Sequence, residues 1–180
     1  MNYSKISLSL KSFKPSEMQI WATAERASNN FMFNFELKNV SPNIVWPVPN
    51  DSPKHADGLW TSTCFEAFIG HQSHPKYVEW NFSPSQDWAC YAFDHYRDRA
   101  RQEHRWQPPQ IVATMGQESA RVQVQVNAAP CLTILGEAGD LLIGLSAVVQ
   151  HQGKDLEYWA ISHNKDTPDF HDRDSFLIWE

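Results

Sequence analysis

The sequence predicts an all-β fold, a single-domain antiparallel β-sandwich of the jelly-roll or immunoglobulin-like kind, with at most one short helix. Three observations indicate this class: strand-length runs recur along the chain, turn-forming residues separate them at short intervals, and a helical apolar stripe is almost absent. About ten such runs can be counted, and many alternate apolar with polar side chains, as strands with one buried face do. The 180 residues are enough for one domain with a full core, and we expect that domain to span residues 1–180.

The first strands are predicted over residues 6–10, 18–24 and 31–37. Residues 31–37 give the clearest pattern, since three phenylalanines and a leucine occupy alternate positions and would form one core-facing side. Residues 39–58 then carry four prolines among Asn, Asp and Ser. This composition predicts a long ordered loop, and such loops often line a binding site.

A meander of three aromatic-rich strands is predicted next, over residues 60–69, 77–82 and 88–93. Residues 94–106 form the only plausible helix, although they lack a continuous apolar stripe. Two prolines end this segment. Further strands are predicted over residues 121–127, 130–135, 141–149, 158–163 and 176–179.

The meander brings polar side chains together. In an extended run every second side chain shares a face, so Trp60 and Glu66 would lie on one side of the first strand. The same rule places Glu79 and Asn81 on one side of the second strand. If these sides coincide, Glu66, Glu79 and Asn81 form a polar patch beside an aromatic wall. The alternative is that they are ordinary residues of a solvent-facing sheet surface.

Composition excludes several classes of partner. A net charge of −6 with no basic patch argues against a nucleic-acid binder. No apolar run approaches the roughly 20 residues of a membrane-spanning helix, and the N-terminus lacks the apolar stretch of a signal peptide. Three cysteines without a CxxC pair are typical of buried thiols in a reducing compartment. We therefore expect a soluble, cytoplasmic protein that contacts neither nucleic acid nor membrane.

Catalytic motifs are missing, and the enzyme hypothesis rests on separate pieces. Glu66 and Glu79 could act as a glycosidase carboxylate pair. Cys64 and Cys90 lie in apolar strands, which favours buried, unreactive thiols over nucleophiles. The sequence therefore predicts no catalytic residue.

Acidic and histidine side chains crowd the C-terminal segment, where they could bind a transition metal or calcium. Their spacing matches no closed metal site, and one histidine could simply bond a backbone carbonyl, so we expect none. Phe170 lies on a turn between polar residues, where it could either stack on a ligand or plug the end of the sandwich. The crowded residues are His163, Asp169, His171, Asp172 and Asp174.

Three pieces of the chain resemble the DOMON-like ligand-binding domains related to type 9 carbohydrate-binding modules. They read GLWTSTCFEAFIG, YVEWNFSPSQDWACYAFDHYR and YWAISHNKDTPDFHDRDSF, and together they span residues 58–176. The resemblance implies a β-sandwich with a ligand site on one side. Relatives bind sugars or haem without catalysing a reaction.

The resemblance also implies residue roles. Carbohydrate-binding relatives carry a Trp-x5-Glu pattern, met here by Trp60 and Glu66, in which the Trp stacks on a sugar ring and the Glu accepts hydrogen bonds from hydroxyl groups. A second stacking aromatic, a Trp in the relatives, matches Phe170 here. Haem-binding relatives use Met and His ligands. His163 lies near such a His, but no methionine offers a convincing partner, so haem is a minor hypothesis.

The sequence thus favours a non-catalytic domain that binds a small ligand, most plausibly a saccharide, between Trp60 and Phe170. One alternative is a sugar-acting hydrolase that uses Glu66 with His163 or His171. Another is a protein-interaction module whose aromatics form a hot-spot patch. Candidates for the polar rim of the site are Glu66, Glu79, Asn81, Arg97, His163 and His171.

Overall fold

Two antiparallel β-sheets face each other in this computed structural model, which describes residues 4–27, 29–102, 104–136, 139, 141–153 and 155–179. The first sheet has the strand order β1-β3-β4-β10-β9. The second has the order β2-β12-β11-β5-β6-β7-β8, and β13 also pairs with β11. Every pairing between these strands is antiparallel, and the predicted sandwich is confirmed.

The element bounds follow the chain in order. The first eight strands are β1 (Ser4–Ser9), β2 (Lys11–Ser12), β3 (Gln19–Ala27), β4 (Asn30–Lys38), β5 (Cys64–His71), β6 (His74–Phe82), β7 (Trp88–His95) and β8 (Asp98–Arg99). The remaining elements are β9 (Gln110–Met115), β10 (Ser119–Asn127), α1 (Ala129–Leu135), β11 (Leu141–Gln150), β12 (Leu156–Ala160) and β13 (Leu177–Trp179). Short 3-10 turns lie at Leu59–Thr61 and Arg173–Ser175. In the described ranges no helix is long and apolar enough to cross a membrane.

The main core lies between the two sheets. Strand β4 contributes the alternating aromatic face predicted from the sequence, and its burial pattern alternates accordingly. Phe35 meets Phe65 of β5 with ring centroids 5.0 Å apart, and Phe33 meets Phe82 of β6 at 5.8 Å. Each such fully buried aromatic contributes about 1.5–3 kcal/mol, so this layer fixes how the sheets align.

The first strand of the meander begins later than predicted. Gly58 adopts a left-handed conformation (φ 76°), and the chain then makes the 3-10 turn that holds Trp60 before β5 starts at Cys64. The Thr61 side chain reinforces this turn by donating to the Gly58 carbonyl oxygen (2.7 Å). Trp60 therefore does not share a strand with Glu66, and the parity argument that joined them was wrong.

The predicted helix over residues 94–106 is also wrong. Strand β7 instead turns back into β8, and Arg97 sits at the turn with a left-handed backbone (φ 55°). Its amide donates to the hydroxyl of Tyr77 (3.0 Å), and the Ala100 amide donates to the Ala92 carbonyl oxygen (2.9 Å). The segment lacks the apolar stripe that would stabilise a helix against the sheet, so a hairpin forms here instead.

Three further differences concern the second half of the chain. Residues 130–135 were predicted as a strand but belong to helix α1, where a proline occupies the first turn and Gly136 ends the helix. Strand β9 was not predicted, since exposed Val112 breaks the simple alternation. Strand β12 ends at Ala160, three residues before the predicted end at His163.

Candidate functional site

The outer face of the second sheet carries its own buried aromatic layer. This face points away from the main core, yet Phe68, Tyr77 and Phe93 are almost fully buried on it. The chain after β12 folds back over the face, and Phe176 and Phe170 pack against this layer. A sheet surface that would otherwise face water is thereby enclosed.

A cavity of about 700 Å³ opens within this enclosed region. Its size falls in the range of pockets that take small ligands, about 300–1,000 Å³. Aromatic side chains line much of it, namely those of Trp60, Phe68, Phe93, Tyr158 and Phe170. Ionisable side chains also line it, namely those of Glu66, Glu79, Arg97, Arg99 and His171.

Strand register explains why these side chains converge. Glu66 of β5 lies directly opposite Ser146 of β11 and Asn81 of β6. Glu79 lies opposite Phe68, one pair further along the same face. Directly paired residues share a face, so the polar patch predicted from side-chain parity is present on the cavity floor.

The two carboxyl groups are buried and partly bonded. Glu66 is 3% exposed and accepts a hydrogen bond from the Ser146 hydroxyl (3.2 Å). Glu79 is 6% exposed and accepts one from the Asn81 side-chain amide (2.6 Å). Burial raises the pKa of both carboxyls, and the charge of Glu79 raises the pKa of Glu66 further. The floor therefore holds a proton more readily than exposed carboxylates do.

His171 connects the floor to the covering segment. Its Nδ1 lies 2.7 Å from the Tyr77 hydroxyl, which itself accepts the Arg97 amide, so the tyrosine proton points to Nδ1. The Nε2 of His171 then faces Glu79 Oε2 at 3.5 Å. Burial lowers the pKa of His171 to about 4, so the ring is neutral near pH 7 and its Nε2–H can donate to Glu79.

Asp169 fastens the covering segment to the β7–β8 hairpin. Its carboxylate accepts hydrogen bonds from the Tyr96 hydroxyl (2.6 Å), the Arg97 guanidinium (2.8 Å) and Lys165. Burial alone would raise the pKa of Asp169, but these bonds outweigh it and hold the pKa well below its usual range. The turn that carries Phe170 and His171 is thus tied to the cavity wall.

The other end of the covering segment is held by Arg173 and Phe176. The Arg173 guanidinium donates to the carbonyl oxygens of His71 (2.7 Å) and His74 (2.9 Å) in the β5–β6 hairpin. The Phe176 ring lies over Gly144, where an added Cβ would come within 2.6 Å of the ring. Close approach of the ring to the strand therefore requires glycine at this position.

Trp60 stands at the open side of the cavity. It is 37% exposed, and its ring lies 6.1 Å from that of Tyr91 at an angle of 72°. Tyr91 is itself fixed, since its hydroxyl donates to Asp57 (2.5 Å) in the proline-rich loop. Because Trp60 combines a fixed position with an exposed ring, part of its surface remains available to a ligand.

Six of the eight predicted site residues line the cavity: Trp60, Glu66, Glu79, Arg97, Phe170 and His171. Asn81 is fully buried beside the cavity and acts on it through Glu79. His163 does not line it, because its Nε2 lies 2.9 Å from the Lys11 carbonyl oxygen and its ring packs against Phe13.

Sequence reasoning missed Phe68, Phe93, Arg99 and Tyr158 as cavity residues. Parity could have found the two phenylalanines, since Phe68 lies two residues after Glu66 on the same strand face. Arg99 and Tyr158 depend on the β7–β8 turn and on the β11–β12 register, which place them opposite Phe93 and Val148. Neither pairing is visible in the sequence.

The cavity does not fit a haem. No methionine is among the described residues that line it. His171 bonds Tyr77 through Nδ1 and faces Glu79 through Nε2, so neither ring nitrogen is free for iron. Within the described ranges, no group of three or more His, Cys, Asp or Glu side chains is placed to hold a metal ion.

The arrangement suits hydrogen bonding rather than nucleophilic attack. The three thiols are buried, and burial raises the pKa of each, so they carry no thiolate near pH 7. Carboxyl and guanidinium groups instead offer acceptors and donors next to aromatic surfaces. Such a mixture recognises a compact ligand with both polar and apolar faces.

No protein-family model matches the chain, and no curated protein sequence is significantly similar to it. A solved structure from Bacteroides uniformis, described as a putative carbohydrate-binding protein, does share the fold. Its TM-score is 0.64 at 11% sequence identity, and the match covers 97% of this chain and 84% of that one. At this identity the likeness shows the architecture alone, which covers nearly the whole of this chain.

Proposed function

We propose that this protein is a non-catalytic, DOMON-like domain related to type 9 carbohydrate-binding modules, and that it binds a saccharide in the cavity. The observation that carries the proposal is the make-up of that cavity: buried carboxyls on its floor lie between aromatic side chains contributed by separate elements. The shared fold with a protein described as a putative carbohydrate-binding protein supports it.

The chemistry of a sugar matches this make-up. A pyranose ring presents C–H groups on its faces and hydroxyl groups around its edge, so it needs aromatic surfaces beside hydrogen-bonding groups. Trp60 and Phe170 would stack on the ring faces. Glu66 and Glu79 would bond hydroxyl groups, and His171 would keep Glu79 in position.

The ligand has room for more than one ring. A second cavity of about 180 Å³ adjoins the first, and the two share Leu156, Tyr158 and Pro168 as lining residues. Phe13 and Lys14 line the far side of the smaller cavity. A disaccharide would place its second ring against these shared residues, so we expect disaccharides to be bound in preference to their monosaccharide units.

The second candidate function is a sugar-acting hydrolase. It is favoured by one observation, a buried carboxyl with a raised pKa beside a second carboxyl, since a general acid needs such a group. With His163 outside the cavity, this hypothesis reduces to Glu66, Glu79 and His171. Release of reducing sugar that Glu66→Gln abolishes, with binding retained, would establish it over the binding domain.

The proposal is tested by isothermal titration calorimetry with a panel of mono- and disaccharides. We expect saturable binding of at least one sugar and about tenfold weaker binding by Trp60→Ala, because the variant loses a stacking surface worth about 1.4 kcal/mol.

The matched control is Trp21→Ala. Trp21 lies on the first sheet outside the main cavity, with Lys38 over its ring at 4.9 Å. Its loss should leave the affinity unchanged. Absence of binding to every sugar in the panel would refute the proposal, as would equal affinities for the wild type and Trp60→Ala.

A further inference from the structure

Arg99 lines the cavity, and none of the described residues accepts a hydrogen bond from its guanidinium. It lies on the short strand β8 opposite Phe93 and lines the same cavity. In the described part of the chain its side chain makes one specific contact: the guanidinium carbon sits 3.9 Å from the centroid of the Tyr91 ring. No hydrogen bond or ion pair to a described residue accompanies that contact.

The stacking contact holds Arg99 in place but leaves its donors free. A guanidinium stacks through its face, whereas its five N–H groups point outward in the plane of the group. The Tyr91 ring is held in place because its hydroxyl donates a hydrogen bond to Asp57. The Arg99 guanidinium is therefore held by stacking, while its N–H groups have no acceptor among the described residues and can bind a ligand.

The neighbouring arginine differs in this respect. Arg97 donates to Asp169 (2.8 Å) and to the Tyr96 hydroxyl (3.3 Å), so its charge is used to hold the covering segment. Asp169 also forms an ion pair with Lys165, so two cations share one carboxylate. This part of the cavity wall thus carries a surplus of positive charge.

The carboxyls of the floor do not offset that surplus in full. Both carboxyls are buried, and burial together with the charge of Glu79 disfavours a negative charge on Glu66. The charges of Arg99 and Arg97 favour a negative charge on Glu79 alone, by lowering the pKa that burial raises. No carboxylate lies within ion-pair distance of Arg99 among the described residues. An incoming anion would complete the site.

We propose that the saccharide carries an anionic substituent, a carboxylate or a phosphate ester, and that the Arg99 guanidinium binds it in a bidentate fashion. Carboxylate and phosphate oxygens match the spacing of two parallel guanidinium N–H groups. This inference rests on the proposed saccharide function and narrows it from sugars in general to acidic sugars.

The test compares sugars that differ only in charge. Calorimetric titrations at low salt pair glucose with glucuronate and galactose with galacturonate, and add glucose 6-phosphate to separate a phosphate from a carboxylate. We expect at least one anionic sugar to bind tenfold or more tightly than its neutral counterpart. In Arg99→Gln that preference should disappear, measured as the ratio of the two affinities within each sugar pair.

Arg101→Gln is the matched control, because it removes the same charge from a nearby exposed residue that does not line the cavity. It should keep the preference, which would show that Arg99 acts by contact rather than through net charge. Equal affinity for neutral and anionic sugars overturns this inference and leaves the saccharide function standing. A preference that survives in Arg99→Gln overturns it as well. No binding of any sugar overturns both proposals together.

Discussion

The two faces of strands β5 and β6 are both buried, but they differ in chemistry. On the core face, the Phe65 ring packs against Phe35 of the opposite sheet. The Trp80 ring packs among other aromatic rings, and its indole N–H donates to the Cys131 sulfur (3.4 Å). On the cavity face, Glu66 and Glu79 lie among aromatic residues. Around Glu66 and Glu79 the strands therefore alternate apolar and polar positions, although both carboxyls are buried. Alternation here marks a site rather than a solvent boundary.

The contrast has an energetic meaning. Apolar burial on the core face stabilises the fold, whereas each buried carboxyl on the cavity face costs free energy that its hydrogen bonds only partly offset. Buried ionisable groups that do not improve stability are characteristic of functional sites. The cavity face thus carries side chains that cost stability and that line the candidate site.

The largest expected effect is a loss of stability when a phenylalanine is truncated to alanine, and this loss should differ between the two faces. Phe65→Ala removes a ring packed against Phe35 and should lower the free energy of unfolding by about 3–5 kcal/mol. Phe68→Ala should cost less, because its ring borders the cavity and water can fill part of the space. Urea unfolding measures both.

The sugar affinities of the same two variants, Phe65→Ala and Phe68→Ala, should also differ. Folded Phe65→Ala should bind as the wild type does, whereas Phe68→Ala should bind more weakly. Equal stability losses together with equal affinities would contradict the distinction between the faces.

A smaller effect is expected from the pH dependence of Glu66→Gln. The folded protein holds the Glu66 proton more tightly than the unfolded chain does, because burial and then the charge of Glu79 raise its pKa. This contribution to stability is full below the ordinary pKa of glutamate and is lost as the pH rises through the raised value.

The amide in Glu66→Gln cannot ionise, so the variant should lose less stability than the wild type as the pH rises above the ordinary pKa of glutamate, about 4.3. Urea unfolding across that range measures the difference. Glu118→Gln, a substitution at an exposed turn, should follow the wild-type profile. Parallel profiles for the wild type and Glu66→Gln would show that the buried carboxyl does not carry the assigned proton.

The smallest effect concerns two histidines that the sequence did not distinguish. His171→Ala removes the contacts to Tyr77 and Glu79 and should weaken sugar binding by about tenfold, a loss of roughly 1.4 kcal/mol. His163→Ala loses only a bond to the Lys11 carbonyl oxygen and an edge contact to Phe13, so its affinity should remain within about twofold. Calorimetry would compare both, and equal losses would place His163 in the site after all.

The sequence predicted those features that depend on local alternation. The core face of β4 and the patch of Glu66, Glu79 and Asn81 follow from a period of two, which survives in the structure. Trp60 lines the cavity, but it lies in a 3-10 turn that follows left-handed Gly58 and not in the predicted strand. Its stacking role remains a prediction from its residue type, while the backbone predicted for it was wrong.

The features that could not be predicted depend on contacts between distant segments. Arg97 takes a left-handed backbone because its amide meets Tyr77, twenty residues earlier, and this turn also places Arg99. Asp169 looked like a potential metal ligand, yet it pairs with Arg97 and Lys165. A composition-based argument cannot separate a carboxylate that binds a metal from one that anchors a loop.

A crystal structure of the protein soaked with its best-binding saccharide tests the central claim most directly. We predict a sugar in the cavity, with a ring face against Trp60 and a hydroxyl group within hydrogen-bond distance of Glu66. A sugar bound elsewhere, for example on the outer face of the first sheet, with the cavity left to solvent, would contradict the account.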